Sequence, residues 1–104
     1  MLKTVSIKLI QETAALDAIN QPITTKKEKL IDTAILHTVT QTEYFKGRQS
    51  GLSPEYFFTI SIFDYSNEKI LEYNGKKYAI YRTYFPNDNE IELYTELKGG
   101  VTNG

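Results

Sequence analysis

Cysteine is absent from this 104-residue chain, and histidine occurs once, as His37. Without cysteine the chain has no disulfide, no thiolate nucleophile and no thiolate ligand for zinc or an iron–sulfur cluster. Catalytic triads place a base, usually histidine, beside the nucleophile, whereas His37 stands among the apolar residues Ile35, Leu36 and Val39. We therefore interpret His37 as a partly buried structural residue, and we predict no enzymatic activity, no metal and no cofactor.

An excess of charge of one sign is also lacking, since the net charge is −1 and the pI is about 5.8. Proteins that grip DNA normally carry a basic excess, because phosphate contacts dominate nonspecific affinity. Gly99 and Gly100 follow a predicted strand but open no helix, so they do not form a phosphate-binding loop. The carboxylates near predicted strand ends and turns are interpreted as solvated surface: Asp64, Glu68, Asp88, Glu90 and Glu92.

Long apolar segments are missing as well. No run approaches the ~20 residues of a membrane-spanning helix. Residues 1–3 lead into an alternating strand pattern instead of the apolar region of a signal peptide. We therefore expect a protein made in the cytoplasm, without a membrane partner.

What the chain does contain is a moderate apolar share of 40%, with 8 Tyr and 5 Phe among its residues. Aromatic residues at this level are typical of sheets, where their rings fill the pleated surface. A chain of this length forms one domain with a radius of gyration of about 13 Å. We predict a single β-barrel domain over residues 1–98 and a flexible C-terminal tail over residues 99–104.

The first twenty-two residues predict one strand and one turn. Apolar and polar side chains alternate over residues 4–10, which is typical of a half-buried strand. The pattern breaks over residues 12–22, where Asn20, Gln21 and Pro22 indicate a turn.

The next segment predicts a second extended region. Residues 23–29 are rich in lysine, which is typical of an exposed edge strand. Over residues 30–39, Thr33, Ile35 and Val39 are β-branched and favour a strand over a helix.

A short helix is predicted after this region. Thr40 and Glu43 have the capping-box spacing, in which each residue caps a backbone amide of the other. The helix covers about residues 41–50, and Gly51 can end it. A helix this short needs tertiary packing to persist, so we expect the aromatic side chain at position 44 or 45 to dock on the sheet.

The second half of the chain predicts strands. Residues 55–64 read as a strand in the middle of a sheet, and residues 90–97 as a last strand after a turn at residues 86–89. Asn74 and Gly75 supply the two positive-φ residues of a type I′ hairpin turn. The two-residue loop predicts three cross-strand pairs: Tyr73 with Lys76, Glu72 with Lys77, and Leu71 with Tyr78.

The predicted fold class is therefore mainly β. It is a small antiparallel β-barrel or sandwich with one short helix, over about residues 41–50, and a long loop. Small barrels also bind single-stranded nucleic acid through exposed aromatic residues flanked by cations. Such a platform is one hypothesis for Tyr78, Tyr81, Arg82 and Tyr84, although Tyr78 is predicted to face the core.

Several stretches resemble the head–tail joining (head-closure or stopper, head–tail adaptor) family of tailed bacteriophages. They lie between residues 40 and 98 and include a strand–Asn-Gly–strand finish followed by a Glu-Leu-Tyr strand. The stretches are TQTEYF at 40–45, YFFTI at 56–60, FDY at 63–65, LEYNGKKYAIYRTY at 71–84 and EIELY at 90–94. Many family members have an Asp-Gly turn and a tryptophan in a region that corresponds to residues 17–29, and this chain has neither.

The resemblance implies a structural protein of the phage neck. Such a protein assembles as a ring below the portal or its adaptor, closes the DNA-filled head and docks the tail protein. Its partners would be copies of itself, the portal or adaptor and a tail protein, with DNA only passing through the channel. The chain would be made in the cytoplasm of a bacterial host and would act in the virion. A tail-completion protein of similar size is a third hypothesis.

The family resemblance also places candidate residues. A loop that reaches toward the channel would comprise Lys46, Gly47, Arg48, Gln49, Ser50, Gly51, Leu52, Ser53 and Pro54. A ring joins one patch to a different patch on the neighbouring copy, and a core of this size cannot hide all the aromatic residues. The candidate contacts between subunits or partners are Tyr65, Tyr81, Phe85 and Tyr94.

Overall fold

The computed structural model describes residues 3–98, which form six strands and one α-helix. The predicted mainly β fold is confirmed as a closed antiparallel barrel with strand order β1-β2-β3-β6-β5-β4. The elements are β1 (Lys3–Leu16), β2 (Pro22–Thr38), α1 (Gln41–Gln49), β3 (Pro54–Ser61), β4 (Ile70–Tyr73), β5 (Lys76–Tyr84) and β6 (Glu90–Leu97). The predicted tail at residues 99–104 lies outside the described residues.

The core is the interior of the barrel. Alternation along each strand points one set of apolar side chains inward, as expected for strands with a single buried face. The buried cluster comprises Val5, Ile7, Leu9, Ile31, Ala34, Phe58, Ile60, Leu71, Tyr78, Ile80, Ile91 and Leu93. Thr95 is also fully buried, and its hydroxyl donates a 2.9 Å hydrogen bond to the Tyr56 carbonyl, which satisfies the polar group.

The hairpin of β4 and β5 has the predicted register. Tyr73 pairs with Lys76 and Leu71 with Tyr78, and φ is 55° at Asn74 and 77° at Gly75. The predicted last strand, at residues 90–97, is confirmed as β6, and the strand predicted over residues 30–39 is confirmed up to Thr38 as part of β2. In the described part of the chain, no helix is long and apolar enough to cross a membrane.

The prediction that the first strand breaks at residue 12 is wrong. β1 continues to Leu16, and from Ile7↔Ile31 to Leu16↔Pro22 it pairs with β2 without a gap. The turn that follows comprises residues 17–21, where the Asp17 carboxylate accepts hydrogen bonds from the amides of Ile19 (3.0 Å) and Gln21 (2.8 Å). It contains the predicted Asn20 and Gln21, whereas Pro22 already begins β2. This distal hairpin has no core beneath it, so neither face needs to alternate.

The arm, as we call residues 11–28, therefore projects from the barrel. Every arm residue except the half-buried Asp17 is exposed. The radius of gyration is 15.0 Å, compared with about 13 Å for a compact domain of this length. In the described chain, β1 pairs with β4 only over residues 8–10, and β2 pairs with β3 only over residues 35–38. The outer edges of the arm are thus unpaired, in line with the predicted exposed edge.

Lys29 anchors the base of the arm. Its ammonium lies 3.5 Å from the Glu68 carboxylate and donates to the Asp64 carbonyl (2.9 Å) and the Ser66 hydroxyl (3.3 Å). Glu68 is only 4% exposed and also accepts from the Ser66 amide at 2.7 Å. The interpretation of Glu68 as solvated surface is therefore wrong, because this carboxylate joins the arm to the connection between β3 and β4.

The strand predicted over residues 55–64 ends earlier than expected. β3 stops at Ser61, and Ile62–Asp64 forms a 3-10 turn whose Phe63 amide donates to the Ser61 hydroxyl at 3.3 Å. The central position of this strand is confirmed, since β3 pairs with both β2 and β6. Phe63 leaves the sheet and is 86% exposed.

The antiparallel order gives the barrel two distinct ends. β1, β3 and β5 finish at one end, which we call the arm end, with the arm and the connections at residues 62–69 and 85–89. α1 and the turn at residues 74–75 lie at the opposite end, which we call the helix end.

Candidate functional site

The residues predicted to form a channel-facing loop lie at the helix end, but most of them are not loop. Lys46, Gly47, Arg48 and Gln49 complete α1, Ser50 caps it, and Pro54 begins β3. The connection itself is residues 50–53, so it is shorter than predicted. Gly51, at φ 81°, ends the helix as predicted.

α1 is held against β3 by close backbone approach. Gly47 is the buried residue of the helix, and a side chain there would overlap the ring of Pro54. The Leu52 amide donates to the Gly47 carbonyl at 2.8 Å, which folds the connection back under the helix. The expectation that Tyr44 or Phe45 docks on the sheet is wrong, because both rings are exposed.

The Glu43 side chain links α1 to strand β5. Its carboxylate accepts from the Arg82 guanidinium at 2.7 Å and 3.3 Å and from the Tyr81 hydroxyl at 2.6 Å. Thr40 caps the helix as predicted, accepting from the Glu43 amide at 3.2 Å. The other predicted bond of the capping box, from the Thr40 amide to the Glu43 carboxylate, is wrong. The Glu43 carboxylate instead binds Arg82, because a hydrogen bond between two charged groups is stronger.

The ion pair determines the local electrostatics. The Arg82 guanidinium holds the pKa of Glu43 below its ordinary value of 4.5, and Glu43 raises the pKa of Arg82. Burial, with the hydrogen bond to Glu43, raises the pKa of Tyr81. Burial and a bond to Glu92 raise the pKa of Tyr94 to about 12. At neutral pH both phenols are protonated donors, not bases or nucleophiles.

Four side chains form a stacked ladder across the outside of the barrel. His37 stacks on Phe57 with ring centroids 4.3 Å apart, and Phe57 stacks on Tyr94 at 4.6 Å. The Arg82 guanidinium carbon lies 3.8 Å from the Tyr94 ring centroid. Each step follows a cross-strand pair, on β2, β3, β6 and β5 in turn. The ladder is half-buried apart from the exposed Arg82, and its ring faces contact one another.

The predicted partial burial of His37 is confirmed. His37 is half-buried in the ladder, and its Nε2 lies 3.0 Å from the Thr59 hydroxyl. Among residues 3–98, no three His, Asp or Glu side chains are grouped so that they could hold a metal ion.

The platform proposed for single-stranded nucleic acid is dispersed. Tyr78 lies in the core, as predicted. Tyr81 and Arg82 are occupied by Glu43, and Arg82 also covers the face of Tyr94. Tyr84 is exposed, so one of the three aromatic rings is available for a base to stack on.

The candidate contact residues have different surroundings. Tyr65 packs against the core and donates to the Glu68 carbonyl at 2.8 Å. Tyr81 and Tyr94 are half-buried on the outer sheet around Glu43 and Arg82. Phe85 is 56% exposed at the arm end, and it alone of the four presents most of its ring to solvent.

An open cleft of about 530 Å³ lies beside the Glu43–Arg82 pair. Its lining residues are Glu43, Lys46, Gly47, Ser50, Leu52, Tyr81 and Arg82. Because Glu43 and Arg82 neutralise each other, Lys46 is the charge that this cleft offers to a ligand. The arrangement favours a structural connection between α1 and the sheet over a catalytic or anion-binding site.

Apart from Phe85, sequence reasoning did not identify the exposed apolar residues at the arm end. Leu16 (64% exposed), Ile19 (71%) and Ile23 (44%) form the tip of the arm, and Phe63 lies at its base. A signal was available, because residues 13–25 contain a single charged side chain, Asp17. It was missed because the segment lacks the alternation of a half-buried strand.

Comparison of the chain with protein-family models, curated proteins and solved structures gave no match. The resemblance of residues 40–98 to the phage head–tail joining family therefore stays a prediction.

Proposed function

We propose that this chain is a structural protein of a tailed-phage neck, which forms a ring below the portal or adaptor, closes the filled head and docks the tail. The observation that carries the proposal is the small closed barrel with different exposed apolar residues at its two ends. The arm end presents Leu16, Ile19, Ile23, Phe63 and Phe85, and the helix end presents Tyr44 and Phe45.

Two unlike apolar ends suit a ring. Each copy in a ring uses two different patches, one for each neighbour or partner, and contiguous exposed apolar surface marks protein contacts. The near-zero net charge is compatible with a ring around passing DNA, because strong phosphate contacts would retard the DNA. Residues 46–54 at the helix end are the candidate for the channel-facing segment.

The test is a nuclease challenge of filled heads made by a phage that lacks this chain, with purified protein added back or withheld. DNA that is digested without the protein and retained with it supports head closure. DNA retained in both cases, with tails failing to attach, would assign tail completion instead. Tailed, infectious particles formed without the chain would refute a role in the neck.

The channel-facing segment has a matched test in the same assay. Lys46→Gln with Arg48→Gln removes two exposed charges from α1, and Lys76→Gln with Lys77→Gln removes two exposed charges from the hairpin at the same end. We expect the first protein to retain less DNA than the parent and the second to match it. Equal retention by both would remove the channel role from these residues.

The alternative function, single-stranded nucleic-acid binding, has a separate test. An oligonucleotide mobility shift at about 50 mM salt, repeated as salt increases, detects the phosphate contacts that such a protein needs. We expect no shift, because Tyr78 is buried and Tyr81 and Arg82 are engaged by Glu43, which leaves Tyr84 as the one exposed ring of the platform. A tight, salt-sensitive shift would favour the binding protein over the neck protein.

A further inference from the structure

The tip of the arm has the chemistry of a protein contact. Residues 13–25 carry one charged side chain, that of Asp17, and its carboxylate is used by the amides of Ile19 and Gln21. The side chains of Leu16, Ile19 and Ile23 are exposed at the tip. A free strand edge is usually protected by charge or proline, yet the thirteen residues from 13 to 25 hold only Pro22 and Asp17 for this purpose.

The stem of the arm, in contrast, is charged, with Lys26 and Lys27 beside Glu12 and Glu28. Lys26 and Lys27 follow the tip, and Lys26 lies 3.9 Å from Glu12 across the hairpin. Within residues 3–98, Lys27 has no carboxylate within ion-pair distance. The arm therefore presents an apolar tip followed by an unneutralised cation.

A complementary surface lies at the arm end of the barrel itself. Phe63 and Phe85 are 86% and 56% exposed, in two connections joined by a 2.9 Å hydrogen bond from the Ile62 amide to the Asn89 carbonyl. Asp64 and Asp88 flank them, and residues 83–97 contain no lysine or arginine. We call Phe63, Phe85, Asp64 and Asp88 the phenylalanine patch.

We propose that the arm tip of one copy docks on the phenylalanine patch of a second copy. Both surfaces are exposed in the single chain, so neither covers the other within one molecule. A symmetric contact of tip on tip would oppose lysine to lysine, whereas tip on patch brings Lys27 toward Asp64 and Asp88. Like charges placed opposite each other disfavour a contact and opposite charges favour it.

The contact is heterologous, since the tip and the patch are different surfaces of the chain, and such contacts repeat from copy to copy. The inference rests on the proposed ring and names the two surfaces that join its neighbours. It also gives the arm a partner, and two strands without further packing add little stability in water.

The absence of cysteine makes the contact directly testable. Ile19→Cys in one tagged copy and Phe85→Cys in another place single thiols on the tip and on the patch. The two proteins are mixed at up to about 1 mM, a range in which weak contacts are populated, and treated with a short bis-maleimide. The expected product is the mixed 19–85 dimer, in excess over the 19–19 and 85–85 dimers.

The matched control is Phe45→Cys, which replaces an equally exposed phenylalanine at the helix end. We expect Ile19→Cys to give at least tenfold less mixed dimer with it than with Phe85→Cys. Lys27→Glu in the tip copy should reduce the 19–85 product, and Asp88→Lys in the patch copy should restore it. Unchanged thermal unfolding of each exposed-site variant shows that the barrel remains folded.

Other outcomes overturn the proposal. Predominant 19–19 dimers would show a symmetric contact of tip on tip. Equal crosslinking at positions 45 and 85 would show nonspecific collision. No crosslinking would show that the tip does not bind a second copy and would indicate a different protein as its partner. Because purified chain is used, these results are independent of the head assay. Crosslinking without head closure would refute the neck function alone, and head closure by an armless chain would refute the docking alone.

Discussion

At the scale of single residues, Glu43 determines how α1 is attached to the barrel. It satisfies the Tyr81 hydroxyl and the Arg82 guanidinium on β5 while its own amide is capped by Thr40. Arg82 in turn lies over Tyr94. Loss of this one carboxylate therefore affects the helix, the strand and the stacked ladder together.

Glu43→Gln should destabilise the protein at neutral pH by about 0.5–1 kcal/mol, after allowing for solvent screening of the partly exposed Arg82. The pKa of Glu43 is lowered in the folded state. The ion pair therefore contributes fully above the ordinary pKa of 4.5 and is lost as the pH falls through the lower folded value. Urea denaturation should show the parent and the variant converging as the pH is lowered.

Arg48→Ala is the control for this prediction. Arg48 is exposed on the same helix and donates to the Ser53 hydroxyl, and we expect a change within about 0.5 kcal/mol. A stability difference between the parent and Glu43→Gln that stays constant with pH would contradict the role of the charge.

Lys29→Met should destabilise the protein by about 1–2 kcal/mol, because it leaves the buried Glu68 carboxylate with the Ser66 amide but without its cation. The double variant Lys29→Met with Glu68→Gln should recover part of the loss, since the remaining group is neutral. Urea denaturation of both proteins measures the difference. A double variant less stable than Lys29→Met would show that the carboxylate is tolerated without its partner.

At the scale of elements, the sequence predicted those features whose causes are local. Asn74 and Gly75 determine a turn type, and the turn determines the register of β4 and β5. Alternation in β6 follows from its one buried face. These causes act within a few residues, so they can be recognised without the rest of the fold.

The features that were mispredicted depend on contacts between elements. The extension of β1 to Leu16 is caused by pairing with β2, and the turn of Glu43 away from Thr40 is caused by Arg82, 39 positions later. The docking of α1 through Gly47 requires Pro54 beneath it. Local sequence patterns placed the candidate site residues on strands, helix or turn, but they did not show which of these residues would come together. The stacked ladder and the projecting arm were therefore not predicted.

Gly47→Ala tests the docking of α1. Alanine normally stabilises a helix by about 1 kcal/mol relative to glycine, but here the added methyl group overlaps the Pro54 ring. Overpacking of this kind costs about 1–3 kcal/mol, so we expect net destabilisation in thermal unfolding. Lys46→Ala, at the exposed neighbouring position, should change stability by less than about 0.5 kcal/mol. A more stable Gly47→Ala protein would contradict the close packing.

At the scale of the whole molecule, the arm and the barrel are separable. Replacing residues 12–26 with Asn-Gly joins Gln11 to Lys27, which are already cross-strand partners. We expect the barrel to keep its cooperative unfolding, because the removed residues are exposed or belong to the turn, and we expect the radius of gyration to fall below 15.0 Å. Small-angle scattering and thermal unfolding measure the two effects. Loss of the folding transition would show that the arm supports the core.

The pairing of β1 with β4, which closes the barrel, has a consequence for how the chain folds during synthesis. Three residue pairs join these strands, from Lys8↔Glu72 to Ile10↔Ile70, and they connect parts of the chain that are far apart in sequence. β3 has its second neighbour in β6, the last strand. A nascent chain that ends after β3 therefore has strands with open edges and half a core, and distant pairings of this kind form slowly. Resistance to protease should consequently arise only when β6 has been synthesised and enters the sheet, and this step would keep chains that end before β6 out of any assembly.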